Sequence, residues 1–172
     1  MPEFVPVLKK EEIEKKISIL AQEISSDYKD KDLVLIGVLK GAFVFLSDLM
    51  RRLEIPVQVD FVGVSSYGGD TSSSGNIRLT KQIELKLEGK HVILVEDIID
   101  TGLTLNFLVD YLKSFTPQSV KVCAMIDKHQ RRQAAVVVDY AGHTTDEGFL
   151  VGYGLDYAEQ YRNLPDIYHL KF

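Results

Sequence analysis

Residues 92–105 read VILVEDIIDTGLTL. Val92 to Val95 form a short apolar, β-branched run, as in a strand covered on both faces. Glu96, Asp97 and, after two isoleucines, Asp100 follow at once. The Thr101-Gly102-Leu103-Thr104 turn then leads into Leu105, Leu108, Val109 and Leu112, which repeat at helical spacing and stop before Pro117. Three carboxylates so close repel one another, and burying each costs several kcal/mol unless something pairs with it. A cationic or hydroxyl-rich partner belongs at this turn.

The same alternation extends in both directions. Ile13, Ile17, Leu20, Ala21 and Ile24 predict an amphipathic helix over 9–28, and LVLIGVL (33–39) predicts a buried strand. Lys40-Gly41 interrupts the chain before Phe43, Leu46, Leu49, Met50 and Leu53 resume helical spacing. VQVDFVGV (57–64) predicts another strand. SSYGGDTSSSGN (65–76) is too small and polar to offset its ordering entropy, and predicts a long mobile loop. Residues 77–87 predict a returning strand or ribbon. Further strands are expected at 91–95, 119–127, 134–141 and 149–154, before a short NLPDIYHL tail. Strands alternating with helices specify a parallel α/β sheet, whose ligands gather beyond the carboxyl ends of the strands. Lys40-Gly41, the acidic stretch and Lys128 should converge on that edge.

The chain has 172 residues, 45% hydrophobic and 26% charged, with a net charge of −5. That describes one domain with a full core and no basic field for nucleic acid or anionic membrane. Cys123 has no second cysteine to pair with. The opening MPEFVPVLKKEE lacks a basic-then-apolar signal pattern, and no apolar run reaches the length of a membrane span. A cytoplasmic protein is expected.

Taken singly, Asp100 or Thr101 could simply cap the following helix, and Glu96 and Asp97 could be a solvated strand end. Together, beside a glycine and two hydroxyls, they favour a site. The Thr101–Thr104 turn offers free N–H groups and a helix dipole to a phosphate, and Gly102 lets the backbone approach it. No GxxxxGK[ST] loop is present, so a monophosphate fits better than a triphosphate. Adjacent carboxylates upstream suit two ribose hydroxyls, or a magnesium ion shared with them. Phosphate at one end and a diol at the other describe a ribose 5-phosphate.

At VILVEDIIDTG the chain resembles the phosphoribosyl-diphosphate motif of the type I phosphoribosyltransferases. VLKGAFVFLSDL, VDFVGVSSY, Lys128 and FLVGYGLDYAEQYRNLP, in order between Leu33 and Pro165, resemble the hypoxanthine-guanine branch. The resemblance implies an α/β fold with a central, mostly parallel sheet flanked by helices. It also implies a small hood built from parts of the N-terminus and 140–172, and a flexible lid at about 65–78. The implied reaction is magnesium-dependent transfer of the 5-phosphoribosyl group from phosphoribosyl diphosphate to N9 of hypoxanthine, and of guanine, in purine salvage. IMP or GMP and diphosphate are the products. A xanthine-preferring transferase and a phosphoribosyl-diphosphate-sensing regulator are the alternatives. Small-molecule partners, no nucleic acid or membrane, and a homodimer or homotetramer are implied as well.

Residue by residue, Glu96 and Asp97 match positions that hold the ribose hydroxyls and magnesium, and Asp100 matches the proposed general base beside purine N7. Thr101, Gly102, Leu103 and Thr104 match the 5-phosphate cup, which Asp100 adjoins. Lys40, Gly41 and Arg162 match diphosphate ligands, and the Leu39–Lys40 peptide is often cis in the family. Lys128 matches the donor to the 6-oxo group; an ammonium only donates, so adenine's amino group is left unmatched. Phe149 matches the aromatic that stacks on the base, and Leu150 a backbone contact at its edge. Asp156, at the purine end, matches a ligand of a second magnesium, and Ser66-Tyr67 belong to the lid. Two stretches depart from the family pattern. HTTDEG (143–148) replaces an apolar, proline-containing run, and His129-Gln130 follows Lys128 where proline is frequent. A receiver domain also gathers acids and a lysine at a sheet edge, but takes its carboxylates from separate strands.

Overall fold

The computed structural model describes residues 1–66, 76–146 and 148–172. The order of elements is β1 (Glu3–Leu8), α1 (Lys10–Asp27), β2 (Leu33–Leu39), α2 (Phe43–Arg52), β3 (Val57–Ser66) and β4 (Ile77–Lys81). Then come β5 (His91–Ile99), α3 (Leu103–Lys113), β6 (Ser119–Lys128), β7 (Tyr140–Thr145), β8 (Leu150–Val151) and β9 (Ile167–Lys171).

Six strands form the main sheet in the order β4-β3-β2-β5-β6-β7. β3, β2, β5, β6 and β7 are mutually parallel, and β4 returns antiparallel on the edge. The central β2 is apolar at every position except Gly37, because both faces are covered. On one face Ile13, Ile17, Leu20, Ala21 and Ile24 of α1 and Phe45, Leu46 and Leu49 of α2 join Leu35, Ile93 and Cys123 in one core. On the other, Leu105, Leu108 and Leu112 of α3 pack on Val34, Ile36, Val92 and Leu94. Each fully buried Ile or Leu contributes about 1.5–3 kcal/mol of transfer free energy. Among the described residues no helix is long and apolar enough to cross a membrane.

The structure departs from the expectations at several places. Residues 134–139 are not a strand: Val136 and Val138 tuck into the α3-side core while Val137 is exposed. Their N-terminal end bonds to the turn after β5 instead of to a strand, with Gln133 and Ala134 both donating to the Thr101 carbonyl, and β7 begins only at Tyr140. The strand expected at 149–154 lasts two residues, because Gly152, Tyr153 and Gly154 all adopt positive φ. The ribbon at 77–87 is a strand only to Lys81; beyond it, buried Asp60 accepts the Glu84 and Leu85 N–H groups and Lys81 Nζ. β5 runs through Ile99, paired with β6, so Glu96 and Asp97 stand on a strand end and only Asp100 lies on the turn. A small antiparallel sheet, β1-β9-β8, joins the two termini, with Phe4 opposite Leu170. The sequence pattern does not predict its first strand.

Candidate active site

β2 and β5 are neighbours at the centre of the sheet, so the loops leaving their carboxyl ends meet at one edge. After β2 the Leu39–Lys40 peptide is cis, and the chain turns through Gly41 into α2. A side chain at position 41 would collide with the Asp97 carboxylate, so only glycine lets this loop lie against the acidic strand end. A side chain at 154 would strike the Gly41 carbonyl. The 39–42 loop, the end of β5 and the segment after β8 are therefore packed against one another.

They enclose a cleft of about 290 Å³. Gly41, Glu96, Asp97, Asp100, Thr101, Gly102, Thr104, Asp156 and Arg162 line it, with Val64 of β3 alongside. Leu103, Lys40, Lys128, Phe149 and Leu150 do not. Leu103 is the first residue of α3, and its N–H donates to Thr101 Oγ1 at 3.3 Å. Gly102 precedes it with φ 84°, turning the chain so that the first turn of α3 opens on the cleft. Lys128 is the buried last residue of β6. Leu150 is buried in β8, whereas Phe149 is 45% exposed, edge-on to Tyr157 with ring centroids 5.7 Å apart. Ser66 closes β3 opposite Ile77. Tyr67 and the rest of the expected lid through residue 75 lie outside the described residues.

Electrostatics single out the end of β5. Burial pushes the Asp97 carboxyl up to about 6, against the opposing pull of the Ile98 N–H, which donates to it at 2.8 Å, and of the Arg162 charge. Glu96 is raised well above its ordinary range, first by burial and then by the charge of Asp97. Two adjacent carboxylates here resist ionisation, because burial outweighs the Arg162 charge. Asp100 has one oxygen 3.5 Å from the Arg131 guanidinium. Its other oxygen, Oδ1, is buried with no hydrogen-bond partner among the described residues. A buried acceptor without a donor costs about 1–3 kcal/mol, and so marks a place where a donor is wanted.

Residues not singled out from sequence hold this edge together. Arg132 donates from Nε to the Asp100 carbonyl at 3.0 Å and from Nη2 to the Lys128 carbonyl at 3.0 Å. The same Nη2 lies 2.5 Å from Asp127 Oδ1, while His129 Nε2 lies 3.1 Å from Asp127 Oδ2. One guanidinium thus fastens the turn carrying Asp100 to the end of β6, which carries Lys128. Both departures from the family pattern meet here: His129 and Gln130 donate their N–H groups to the Thr145 and Asp146 carbonyls of HTTDEG. On the far wall, Arg162 donates to the Gly154 carbonyl at 2.7 Å and lies 3.4 Å from Asp156 and 3.4 Å from Glu159. Nothing in the local pattern of Asp127, Arg132 or Glu159 signals these contacts. Only the clustering of charged residues after β6 and near Arg162 hints at them.

A profile of the phosphoribosyl transferase domain matches residues 7–158. Architecture and match together define a type I phosphoribosyltransferase. The hypoxanthine-guanine phosphoribosyltransferase of Bacillus subtilis (strain 168) is 43% identical over 165 residues, 96% of this chain and 92% of its own. That of Aquifex aeolicus (strain VF5) is 45% identical over 163 residues, covering 94% and 92%. A crystal structure of a hypoxanthine-guanine phosphoribosyltransferase from Bacillus anthracis superposes with a TM-score of 0.93 at 40% identity, covering 100% of both chains. The chain belongs to the phosphoribosyltransferase family, in its hypoxanthine-guanine branch.

Proposed function

We propose that this protein transfers the 5-phosphoribosyl group of phosphoribosyl diphosphate to N9 of hypoxanthine or guanine, releasing diphosphate. The observation that carries the reading is a single cleft with ionisation-resistant carboxylates on one side and a helix N-terminus on the other. Ribose hydroxyls donate to Glu96 and Asp97. The 5-phosphate takes N–H groups at the start of α3 and the hydroxyls of Thr101 and Thr104, with Gly102 and Leu103 supplying backbone. Lys40, the Gly41 loop and Arg162 hold the diphosphate; the Arg162 fork suits its oxygens.

Lys128 donates to the purine 6-oxo group, Phe149 stacks on the ring and the Leu150 backbone meets its edge. The bond from C1′ to the diphosphate oxygen breaks as the bond from C1′ to N9 forms, and the base gives up one proton. Asp100 Oδ1 faces that proton at N7 and holds it, which supplies the donor its geometry lacks.

The residues present fit magnesium. Among the described residues no three His, Cys, Asp or Glu side chains form a protein cage. Glu96 and Asp97 would instead hold one ion and Asp156, at the purine end, a second, as hard carboxylate oxygens suit magnesium. When bound, magnesium supplies positive charge that offsets the carboxylates and the departing diphosphate.

We also propose that the chain is one domain, with the β1-β9-β8 sheet as its hood, and that it works in the cytoplasm as a homodimer or homotetramer.

An ultraviolet assay with phosphoribosyl diphosphate, magnesium and each of hypoxanthine, guanine, xanthine and adenine tests the reading. Turnover of hypoxanthine and guanine is expected. Turnover of xanthine alone makes it the xanthine-preferring enzyme, and equal use of adenine overturns the role of Lys128. Binding of phosphoribosyl diphosphate without turnover of any base makes it a sensor.

A further inference from the structure

The segment from Asp156 to Arg162 reads DYAEQYR and contains no glycine. Yet Ala158, Glu159 and Tyr161 have φ values of 51°, 64° and 78°. Left-handed backbone at a residue with a Cβ is disfavoured by roughly 1–2 kcal/mol, and three such residues in four positions persist only when other contacts hold them. Those contacts are present. Tyr157 and Gln160 exchange backbone hydrogen bonds at 3.1 and 3.0 Å, and the Glu159 N–H donates to Asp156 Oδ2 at 2.9 Å. Gly154 N–H donates to the Arg162 carbonyl at 2.9 Å, while Arg162 Nη1 donates back to the Gly154 carbonyl.

This turn delivers the Glu159 carboxylate to two cations at once. Oε2 accepts from Lys40 Nζ at 2.7 Å, across 119 positions of sequence, and Oε1 lies 3.4 Å from Arg162 Nη2. Asp156 Oδ1 lies 3.4 Å from the same nitrogen. An isolated exposed ion pair would mean little, and both Lys40 and Glu159 are largely exposed. What sets this one apart is that a single carboxylate puts one oxygen on each cation of the diphosphate subsite. That is the bridging geometry a diphosphate would use.

We infer that Glu159 is an internal counter-anion of the diphosphate subsite, exchanged for phosphate oxygens when diphosphate binds and returned to Lys40 and Arg162 when it leaves. The inference rests on the proposed roles of those two cations. Its consequence is kinetic as well as thermodynamic: Glu159 weakens retention of the diphosphate product, a step able to limit turnover once chemistry is fast. The Lys40 hydrogen bond also holds the Glu159 carboxyl below its ordinary range.

The test is calorimetric titration of magnesium diphosphate into the wild type, Glu159→Gln and Glu159→Asp, with diphosphate product inhibition measured on the same three proteins. Glu159→Gln removes the charge; Glu159→Asp keeps it on a stem one methylene shorter, which cannot span both cations. The expected result is affinity raised about three- to tenfold in Glu159→Gln, the size that losing weak exposed pairs allows. Glu159→Asp should move the same way, and inhibition constants should fall in parallel. Wild-type affinity in Glu159→Asp beside tight binding in Glu159→Gln would mean that net charge alone matters, and overturns the bridging contact. Unchanged or weaker binding in Glu159→Gln overturns the inference and leaves the proposed function standing. No diphosphate binding by any of the three overturns both.

Discussion

Asp97 is pulled two ways: its carboxylate accepts the Ile98 N–H, yet it is buried beside Glu96, and burial wins. Its pKa rises from an ordinary 3.8 to about 6, so the folded chain keeps a proton that the unfolded chain has already released. Below about pH 4 both states are protonated and nothing is lost. Between about pH 4 and pH 6 stability falls as pH rises, and above that the full penalty remains. Asp97→Asn cannot ionise and can still accept from Ile98. It should melt higher than the wild type at pH 7.5, by the equivalent of about 2 kcal/mol, with the gap closing towards pH 4. A gap that widened at low pH would contradict this assignment. Asp100 carries a different burden, because its buried oxygen waits for a donor. Asp100→Asn should lower kcat by about 10²–10⁴ while the KM for phosphoribosyl diphosphate stays within a few-fold, in steady-state assays. At this scale the sequence announces the carboxylates and the Thr-Gly-Leu-Thr turn, because they are contiguous. It does not announce why position 41 must be glycine, since the obstructing Asp97 carboxylate comes from another strand.

The elements that the sequence places best are the strand covered on both faces and the helices whose buried face repeats at helical spacing. β2, α1 and α2 fall within a residue or two of the periodicity that predicts them. The stretch 134–138 misleads for a physical reason: its side chains alternate between core and solvent as in a strand, while its first N–H groups bond to the Thr101 turn. Apolar alternation reports an extended chain over a core, and is silent about which backbone it pairs with. Arg132 is invisible in the sequence for a similar reason, its three acceptors belonging to the turn after β5 and to the end of β6. Arg132→Met should cost about 3 kcal/mol in denaturant unfolding, since among the described residues it leaves a buried Asp127 with only His129 beside it. It should also depress kcat by loosening Asp100 and Lys128 together. Arg132→Lys should recover only part of either loss, because an ammonium cannot span the fork. Full activity in Arg132→Met would show that the turn after β5 holds its place without it.

For the molecule as a whole, the parallel order of β3, β2, β5, β6 and β7 brings the chemistry to one edge, and the separate β1-β9-β8 sheet ties β1 and β9 to the strand that carries Leu150. The first part is legible from alternating strands and helices. The second is not legible from periodicity, because EFVPVL contains a proline and IYHLK is only five residues long, and a hood is implied only by the family resemblance. Ile167 is fully buried in β9, which pairs with the β8 strand that carries Leu150. Ile167→Ala should therefore cost about 3 kcal/mol of stability and also raise the KM for the purine, while leaving that for phosphoribosyl diphosphate nearly unchanged. Equal rises in both would place the small sheet's influence on the sugar end as well. The most direct test of the account is isothermal titration of phosphoribosyl diphosphate with magnesium into the wild type and into a Thr101→Val, Thr104→Val double variant. One site per chain, weakened at least tenfold in the variant, is predicted. Absence of binding to the wild type, or equal binding to both proteins, would contradict the claim that this cleft holds a ribose 5-phosphate between carboxylates and a helix start.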